Sequence, residues 1–191
     1  MKKEMVTAIL VLALGTVGSS VAASAQGKMD QKVTVAAVYD RTLSNTEREV
    51  VSGAEAMPDD KFNFAPTQGE FKGVRTFAQQ VKHVAAVNYM LGGAILGEKP
   101  PVELGGENGP DSMTSKADAV KFLKASFEYL HKALNTLDAS NLLTQVQSPF
   151  GSNKVSKLGL TNIALSHPMD HYGQMAVYLR MNGIVPPASR Q

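Results

Sequence analysis

The chain has 191 residues, 43% of them hydrophobic and 19% charged, a balance typical of one globular domain with a sizeable core rather than of a disordered chain. Nineteen basic and seventeen acidic residues give a net charge of +2 without a basic run that would form a phosphate-binding stripe, so we expect no nucleic-acid partner. The lack of cysteine excludes disulfides, thiolate metal ligands and cysteine nucleophiles, and leaves His, Asp and Glu as candidate metal ligands.

The N-terminal segment predicts a secretory signal peptide over residues 1–25. Two lysines precede an apolar run over residues 5–17, and Ala23-Ser24-Ala25 has the form of a signal peptidase site. The run is shorter than the roughly 20 apolar residues that a membrane-spanning helix needs, which disfavours an uncleaved anchor. We therefore expect a protein exported to the periplasm or the extracellular space, whose mature domain (residues 26–191) has no stable membrane insertion.

Four stretches of the mature chain carry apolar residues at steps of three and four, which predicts four amphipathic helices. The first runs to Met57 and is ended by Pro58, and the second is interrupted by one polar residue, Asn88. Ser115 and Ser156 are candidate N-caps of the third and fourth. The apolar stripes are, in chain order, Tyr39, Leu43, Val50 and Met57; Val74, Phe77, Val81, Val84, Leu91 and Ile95; Val120, Leu123, Phe127, Leu130, Leu134 and Leu137; and Leu158, Ile163, Leu165, Met175, Val177 and Leu179.

Three connections separate these helices. Residues 59–73 combine Pro and Gly with three phenylalanines, which indicates an ordered loop packed on the domain. No element is predicted for residues 97–112 or 139–155, and both connections are long enough to permit crossovers. Since no helix can bury its stripe alone, the sequence predicts an all-α domain, an antiparallel four-helix bundle.

Two of the four histidines, His167 and His171, stand four residues apart on the predicted fourth helix, so both imidazoles leave the same face one turn apart. That spacing suits two ligands of one metal ion, although the pattern also arises on solvated helix faces. Pro168 stands where a helical metalloprotease motif has Glu, which disfavours that chemistry. Pro168 also predicts a kink or local irregularity, unless it is simply tolerated near a bundle end.

Periodicity places the other two histidines away from the core. His83 lies roughly 130° from the centre of its helix stripe, so it is interpreted as a boundary or surface residue that reaches at most a cavity at the bundle mouth. His131 follows Leu130 and neighbours Glu128 and Lys132, and is interpreted as solvated. For Asn88, we favour an interhelical hydrogen bond that fixes register over a role beside a ligand.

The combination of three segments resembles the DinB-like superfamily of small bacterial helical proteins. These segments are Phe62-Asn-Phe-Ala-Pro66, His83-Val-Ala-Ala-Val-Asn-Tyr89 and His167-Pro-Met-Asp-His-Tyr-Gly-Gln174, and the resemblance extends over about residues 35–187. It implies a four-helix bundle with up-down-down-up topology and one divalent metal, nickel or zinc foremost, held by three histidines. At the matching positions this sequence has His83, His167 and His171.

Two further residues belong to the motif that the resemblance identifies in the fourth helix. Gly173 would allow close helix approach and Gln174 would orient a ligand or a bound water, with simple packing and a surface amide as the alternatives. Asp170 leaves the helix about 100° from His171 and is interpreted as a solvated carboxylate, so no general base is assigned.

Together with the predicted signal peptide, the resemblance implies an exported divalent-metal-binding protein, a metal-dependent hydrolase or transferase acting on an unidentified small molecule. Three neutral imidazoles leave ligand positions open, the arrangement that makes a metal a Lewis acid. Some relatives transfer low-molecular-weight thiols, but export disfavours that reaction here because those thiol pools are cytosolic. The alternative is a non-catalytic helical binding or structural module whose metal stabilises the bundle. An exposed apolar helix face would permit a homodimer.

Overall fold

The computed structural model describes residues 33–190, which form four α-helices and one small hairpin. The helices are α1 (Val35–Ala56), α2 (Phe77–Leu96), α3 (Lys116–Leu134) and α4 (Lys157–Met181). The predicted all-α four-helix bundle is therefore confirmed. The predicted signal peptide and its boundary at residues 25 and 26 lie outside the described residues and stay predictions. Within residues 33–190, no helix combines the length and apolar character needed to cross a membrane.

The helix starts follow local capping chemistry. Ser115 and Ser156 cap α3 and α4 as predicted, each accepting a hydrogen bond from a backbone N–H three residues later. The prediction for the second helix is wrong by one turn, because α2 begins at Phe77 rather than Val74. Thr76 and Gln79 form a reciprocal capping box there. The N-cap sets the first residue of the helix, whatever apolar residue precedes it.

The connection after α3 contains structure that the sequence did not predict. Strands β1 (Gln145–Gln147) and β2 (Lys154–Ser156) pair antiparallel, with Val146 opposite Val155. Strands of three residues are too short to show a recognisable alternation of apolar and polar side chains, so the pattern analysis missed them. The hairpin leads directly into the N-terminus of α4.

Helices α2 and α3 lie side by side and run in the same direction. Asn88 Nδ2 donates to Ser126 Oγ at 3.2 Å, and one turn further along both helices Gly92 packs against the Tyr129 ring. A Cβ on Gly92 would lie 2.8 Å from that ring, so the close approach requires glycine. Asn88 is fully buried, and the predicted interhelical hydrogen bond is confirmed.

The pairs α1–α3 and α2–α4 are antiparallel. Along α1 and α3, Asp40 meets His131 whereas Glu55, near the other end of α1, meets Lys124. Along α2 and α4, Gln80 meets Gln174, and the next turn of α2 meets His167. With α2 and α3 parallel, α1 and α4 must also share a direction. The topology is up-down-down-up, as the family resemblance implied, and not the wholly antiparallel bundle that the helix pattern alone suggested.

The parallel pair requires the chain to return along the whole bundle between α2 and α3. The 20 residues of α2 span about 30 Å, and the crossover loop (residues 97–115) covers that distance beside the helix. Buried Lys82 fixes the loop, because its Nζ donates to the carbonyls of Pro110 at 2.9 Å and Met113 at 3.3 Å. Gly109 has φ +74°, and a Cβ there would lie 2.8 Å from the Lys82 Cβ. The loop is thus seated against the N-terminal half of α2.

The core confirms most of the predicted stripes, with its exceptions in α4 and at the start of α2. Ile163 and Val177 of α4 are 38% and 50% exposed, and Val74 lies outside the helix. The fully buried large side chains come from all four helices and, with Met57, from the C-cap of α1: Leu43, Met57, Phe77, Leu91, Ile95, Leu123, Phe127, Leu130, Leu134, Leu160, Met175 and Leu179.

His131 is not the solvated residue that its sequence neighbours indicated. Its side chain is only 19% exposed, with Nδ1 2.6 Å from Asp40 Oδ1 and Nε2 3.1 Å from Glu47 Oε2. Asn135 Nδ2 also donates to Asp40 Oδ1 at 3.1 Å. The two carboxylates lie on α1, so the sequence around His131 on α3 could not reveal them. This histidine joins α1 to α3.

Replacing His131 with Leu should lower the free energy of unfolding by about 1–2 kcal/mol, because two hydrogen bonds to charged groups are lost and two carboxylates remain together. Urea unfolding measures the effect. Lys132→Leu is the matched control, since the Lys132–Glu98 pair is well exposed and should contribute less than about 1 kcal/mol. Equal effects of the two variants would contradict the stabilising role of His131 between α1 and α3.

Candidate metal centre

Three histidines converge where α2 and α4 cross. His83 comes from α2, and His167 and His171 come from successive turns of α4. One ring nitrogen of each lies within 4.8 Å of the others, and the Nε2 atoms of His83 and His167 are 3.1 Å apart. Two imidazole ligands of one tetrahedral zinc have nitrogens about 3.3 Å apart, given zinc–nitrogen bonds of about 2.0–2.1 Å. The spacing therefore fits a shared ion.

His83 is buried, contrary to its interpretation as a boundary or surface residue. Only 5% of its surface is exposed, and 6% of that of His171. Periodicity places His83 away from the apolar stripe of α2, but the crossover loop covers that side of the helix, and Lys82 holds the loop in place. Helix periodicity carries no information about a loop from elsewhere in the chain that packs against the helix.

The loop also determines which nitrogen of His83 is available. Its Nδ1 lies 2.5 Å from the carbonyl oxygen of Glu107. A carbonyl only accepts hydrogen bonds, so Nδ1 carries the hydrogen of the neutral ring and Nε2 keeps a free lone pair. That lone pair points to the same place as Nε2 of His167. A backbone contact of this kind is the usual partner of a metal-binding histidine.

His171 is oriented by a relay of side chains, defined here as Gln80, Gln174 and Asp170. His171 Nδ1 lies 2.5 Å from Gln80 Oε1, Gln80 Nε2 donates to Gln174 Oε1 at 2.8 Å, and Gln174 Nε2 donates to Asp170 Oδ2 at 3.2 Å. Asp170 ends the relay as an acceptor, which fixes both amides and makes His171 Nδ1 the donor. Nε2 of His171 is therefore the nitrogen left for a metal.

His167 has no such partner among residues 33–190. Its Nδ1 is buried without a hydrogen bond, and only Nε2 meets another polar atom, in His83. Pro168 follows it inside a helix that continues to Met181. The three rings contact one another edge to face, with centroids 4.5–5.0 Å apart. Packing between the other two rings thus holds His167.

All three imidazoles are neutral near pH 7, so each has a nitrogen lone pair that could bind a metal. Burial, together with the neighbouring His171 and His83, lowers the pKa of His167 to about 3. Burial and His83 lower the pKa of His171 to about 4, and burial lowers that of His83. A metal needs the unprotonated ring, so the site is ready to bind without first losing protons.

The structure changes the roles assigned to the residues near the histidines. Gln174 does not touch a histidine directly but is linked to His171 through Gln80, which sequence reasoning missed. The position of Gln80, three residues before His83 on the same face of α2, was the sequence signal that could have identified it. Gly173 makes no close helix approach, since a Cβ there would meet nothing within 4 Å. Asp170 is exposed as expected, yet it accepts from Gln174.

Replacing Gln80 with Leu should weaken metal binding about 10- to 100-fold, because His171 loses the acceptor that sets its tautomer. Gln80→Glu still accepts from His171 Nδ1 and should weaken binding less. Competition with a chelating dye measures the affinity. Exposed Gln145 on β1 supplies the matched control, Gln145→Leu, which should bind as the wild type does. Unchanged affinity in Gln80→Leu would show that the relay does not act on the site.

The metal-free protein should lose stability as the pH falls below about 6.5, the ordinary histidine pKa. The unfolded chain takes up protons there, whereas the folded site resists them down to the lowered pKa values, about 4 for His171 and about 3 for His167. His167→Gln should flatten this dependence between pH 6.5 and 5, measured by urea unfolding in the presence of a chelator. An unchanged slope would contradict the neutral, buried state of the ring.

Comparison with known proteins agrees with this architecture. The sequence matches the DinB superfamily over residues 42–175, which include all three histidines. The fold is similar to the crystal structure of a DinB-like protein from Bacillus subtilis, with a TM-score of 0.59 and 19% identity over 76% of this chain and 92% of that one. No curated protein matches. On the family match, which spans most of its length, the chain belongs to the DinB superfamily.

Proposed function

We propose that the protein is an exported divalent-metal protein whose His83, His167 and His171 hold the ion, and that it acts as a metal-dependent hydrolase or transferase on a small molecule. The observation that carries the proposal is the convergence of three imidazoles, within 4.8 Å, at the crossing of two helices. Membership of a family whose members often bind metals supports it.

The donor set favours a reactive centre over a purely structural one. Structural zinc sites normally have four protein ligands, whereas catalytic sites have three and leave a position open. Within residues 33–190, the group that could hold a metal contains three histidines and no carboxylate. When bound, a divalent ion in such a site supplies Lewis-acid chemistry. Imidazole suits both nickel and zinc, so the ligands do not select between them.

The chain's own residues would orient and protect the centre. The Glu107 carbonyl and the relay from Asp170 hold the rings of His83 and His171 with one nitrogen free. Burial of His83 and His171 excludes water from the sides of the site. Asp170 is engaged by Gln174, so a role as general base is not assigned to it.

Export remains part of the proposal on the strength of residues 1–25. A positively charged start, an apolar run and an Ala-x-Ala site form a secretory signal. The mature protein would then meet periplasmic or extracellular small molecules. It would not encounter the thiol cofactors of the cytosol, which disfavours thiol transfer.

The alternative function is a non-catalytic module in which the metal joins α2 to α4. Its supporting observation is that the three ligands come from both helices, so that an ion would tie them together. In that case chelation would lower the melting temperature strongly, and no water or small ligand would exchange at the ion. An enzyme requires an exchangeable position.

The proposal is tested by elemental analysis of untagged protein purified from the exported fraction. Wild type should contain about one nickel, zinc or similar ion per chain and should begin at Gln26, and His171→Ala should lose the ion. His131→Ala is the matched control, since this histidine lies away from the site and pairs with α1. A metal-free wild type that takes up no divalent ion would refute the metalloprotein proposal.

A further inference from the structure

Arg75 is a positive charge beside the candidate metal centre that the proposed function has not used. It precedes the N-cap of α2, and its side chain is partly buried. Its Nε and Nη2 both donate to one oxygen, Asn108 Oδ1, at 3.3 and 3.1 Å. Among the ion pairs of residues 33–190, none includes Arg75. The guanidinium is therefore held in place by a neutral amide, with donors to spare.

A polar cavity of about 590 Å³ opens at this arginine. It is lined by Gly73, Val74, Arg75, Gln79, Gln80, Asn108, Asp111 and Gln174. Two of these residues belong to the relay that orients His171, so the cavity adjoins the metal centre. Its volume is within the range of small-molecule sites.

Arg75 acts electrostatically on the whole triad. Burial is the main reason that the pKa of each of His83, His167 and His171 is lowered, and the positive charge of Arg75 lowers all three further. Arg75 lines the cavity together with Gln80 and Gln174, the two amides of the relay to His171.

The charges around the centre leave a positive excess for a bound molecule to neutralise. Three neutral imidazoles do not offset a divalent ion, and Arg75 adds one more charge. Three carboxylates are near: Asp170 is engaged by Gln174, Glu107 has an exposed side chain, and Asp111 is an exposed residue of the cavity wall. None of the three pairs with Arg75.

We propose that this cavity is an oxyanion subsite in which Arg75 binds a carboxylate or phosphate group of the small molecule that reaches the metal. The proposal rests on the proposed function, since the metal centre adjoins the subsite. The planar guanidinium can donate two parallel hydrogen bonds to such a group, and Asn108 holds it ready to do so. The substrate class is then a small organic anion rather than a neutral molecule.

The test is calorimetric titration of the mature, metal-loaded protein with two probes, inorganic phosphate and succinate. Both should bind wild type, and Arg75→Met should weaken the binding of the better probe about 10- to 100-fold, the value of a charge-assisted hydrogen bond. Exposed Arg48 on α1 supplies the matched control, Arg48→Met, which removes the same charge elsewhere and should leave binding unchanged. The probe that binds more tightly identifies the anion as phosphate-like or carboxylate-like.

Elemental analysis of the same samples separates the two proposals. If Arg75→Met holds as much metal as wild type and binds both probes equally well, or if wild type binds neither, the oxyanion subsite is refuted while the metal centre stands. If wild type holds no metal, the proposed function fails and the subsite that rests on it falls too. Should Arg75→Met not fold, as judged by circular dichroism, Arg75→Gln replaces it, because Gln can still donate to Asn108, and the same loss is expected.

Discussion

The crossover loop seated on Lys82 is the constraint on which the site depends. A buried ammonium has three donors to satisfy, and Lys82 meets two carbonyls of residues 110–113. This position of the loop brings the Glu107 carbonyl to His83 and the Asn108 amide to Arg75. The loop exists because α2 and α3 are parallel. Topology thus determines the chemistry: a wholly antiparallel bundle with a short α2–α3 turn would leave His83 without its covering loop.

The relay to His171 shows how a small bundle orients a ligand without a carboxylate in contact with it. Two neutral amides stand between His171 and Asp170, so the negative charge remains at the protein surface. A buried carboxylate in place of Gln80 would have to be desolvated, at a cost of free energy. The two amides fix only the direction of the hydrogen bonds, and therefore which nitrogen of His171 is the donor. The cost of the arrangement is low because each of the two amides both accepts and donates a hydrogen bond.

Sequence reasoning was most successful where the signal is local and periodic. The stripes of α1 and α3, the caps Ser115 and Ser156, and the shared face of His167 and His171 all follow from residue spacing. The resemblance, not the spacing, selected His83, because burial of that residue is due to a loop distant in sequence. The relay and Arg75 were missed for the same reason, since each depends on a tertiary contact and single-sequence patterns describe only one element at a time. The hairpin was missed because its strands of three residues are too short to show a pattern.

The contrast between His131 and the triad shows that the partners of a histidine decide what it can do. Both nitrogens of His131 lie against carboxylate oxygens of α1, so the ring ties α1 to α3. His83 and His171 meet one neutral acceptor each, and burial lowers the pKa of both. The second nitrogen of each ring keeps its lone pair, and the two rings converge with that of His167. Three converging imidazoles, near a guanidinium that forms no ion pair within residues 33–190, suit a cation and an anion together, which is the combination that the proposed reaction on an anionic molecule requires.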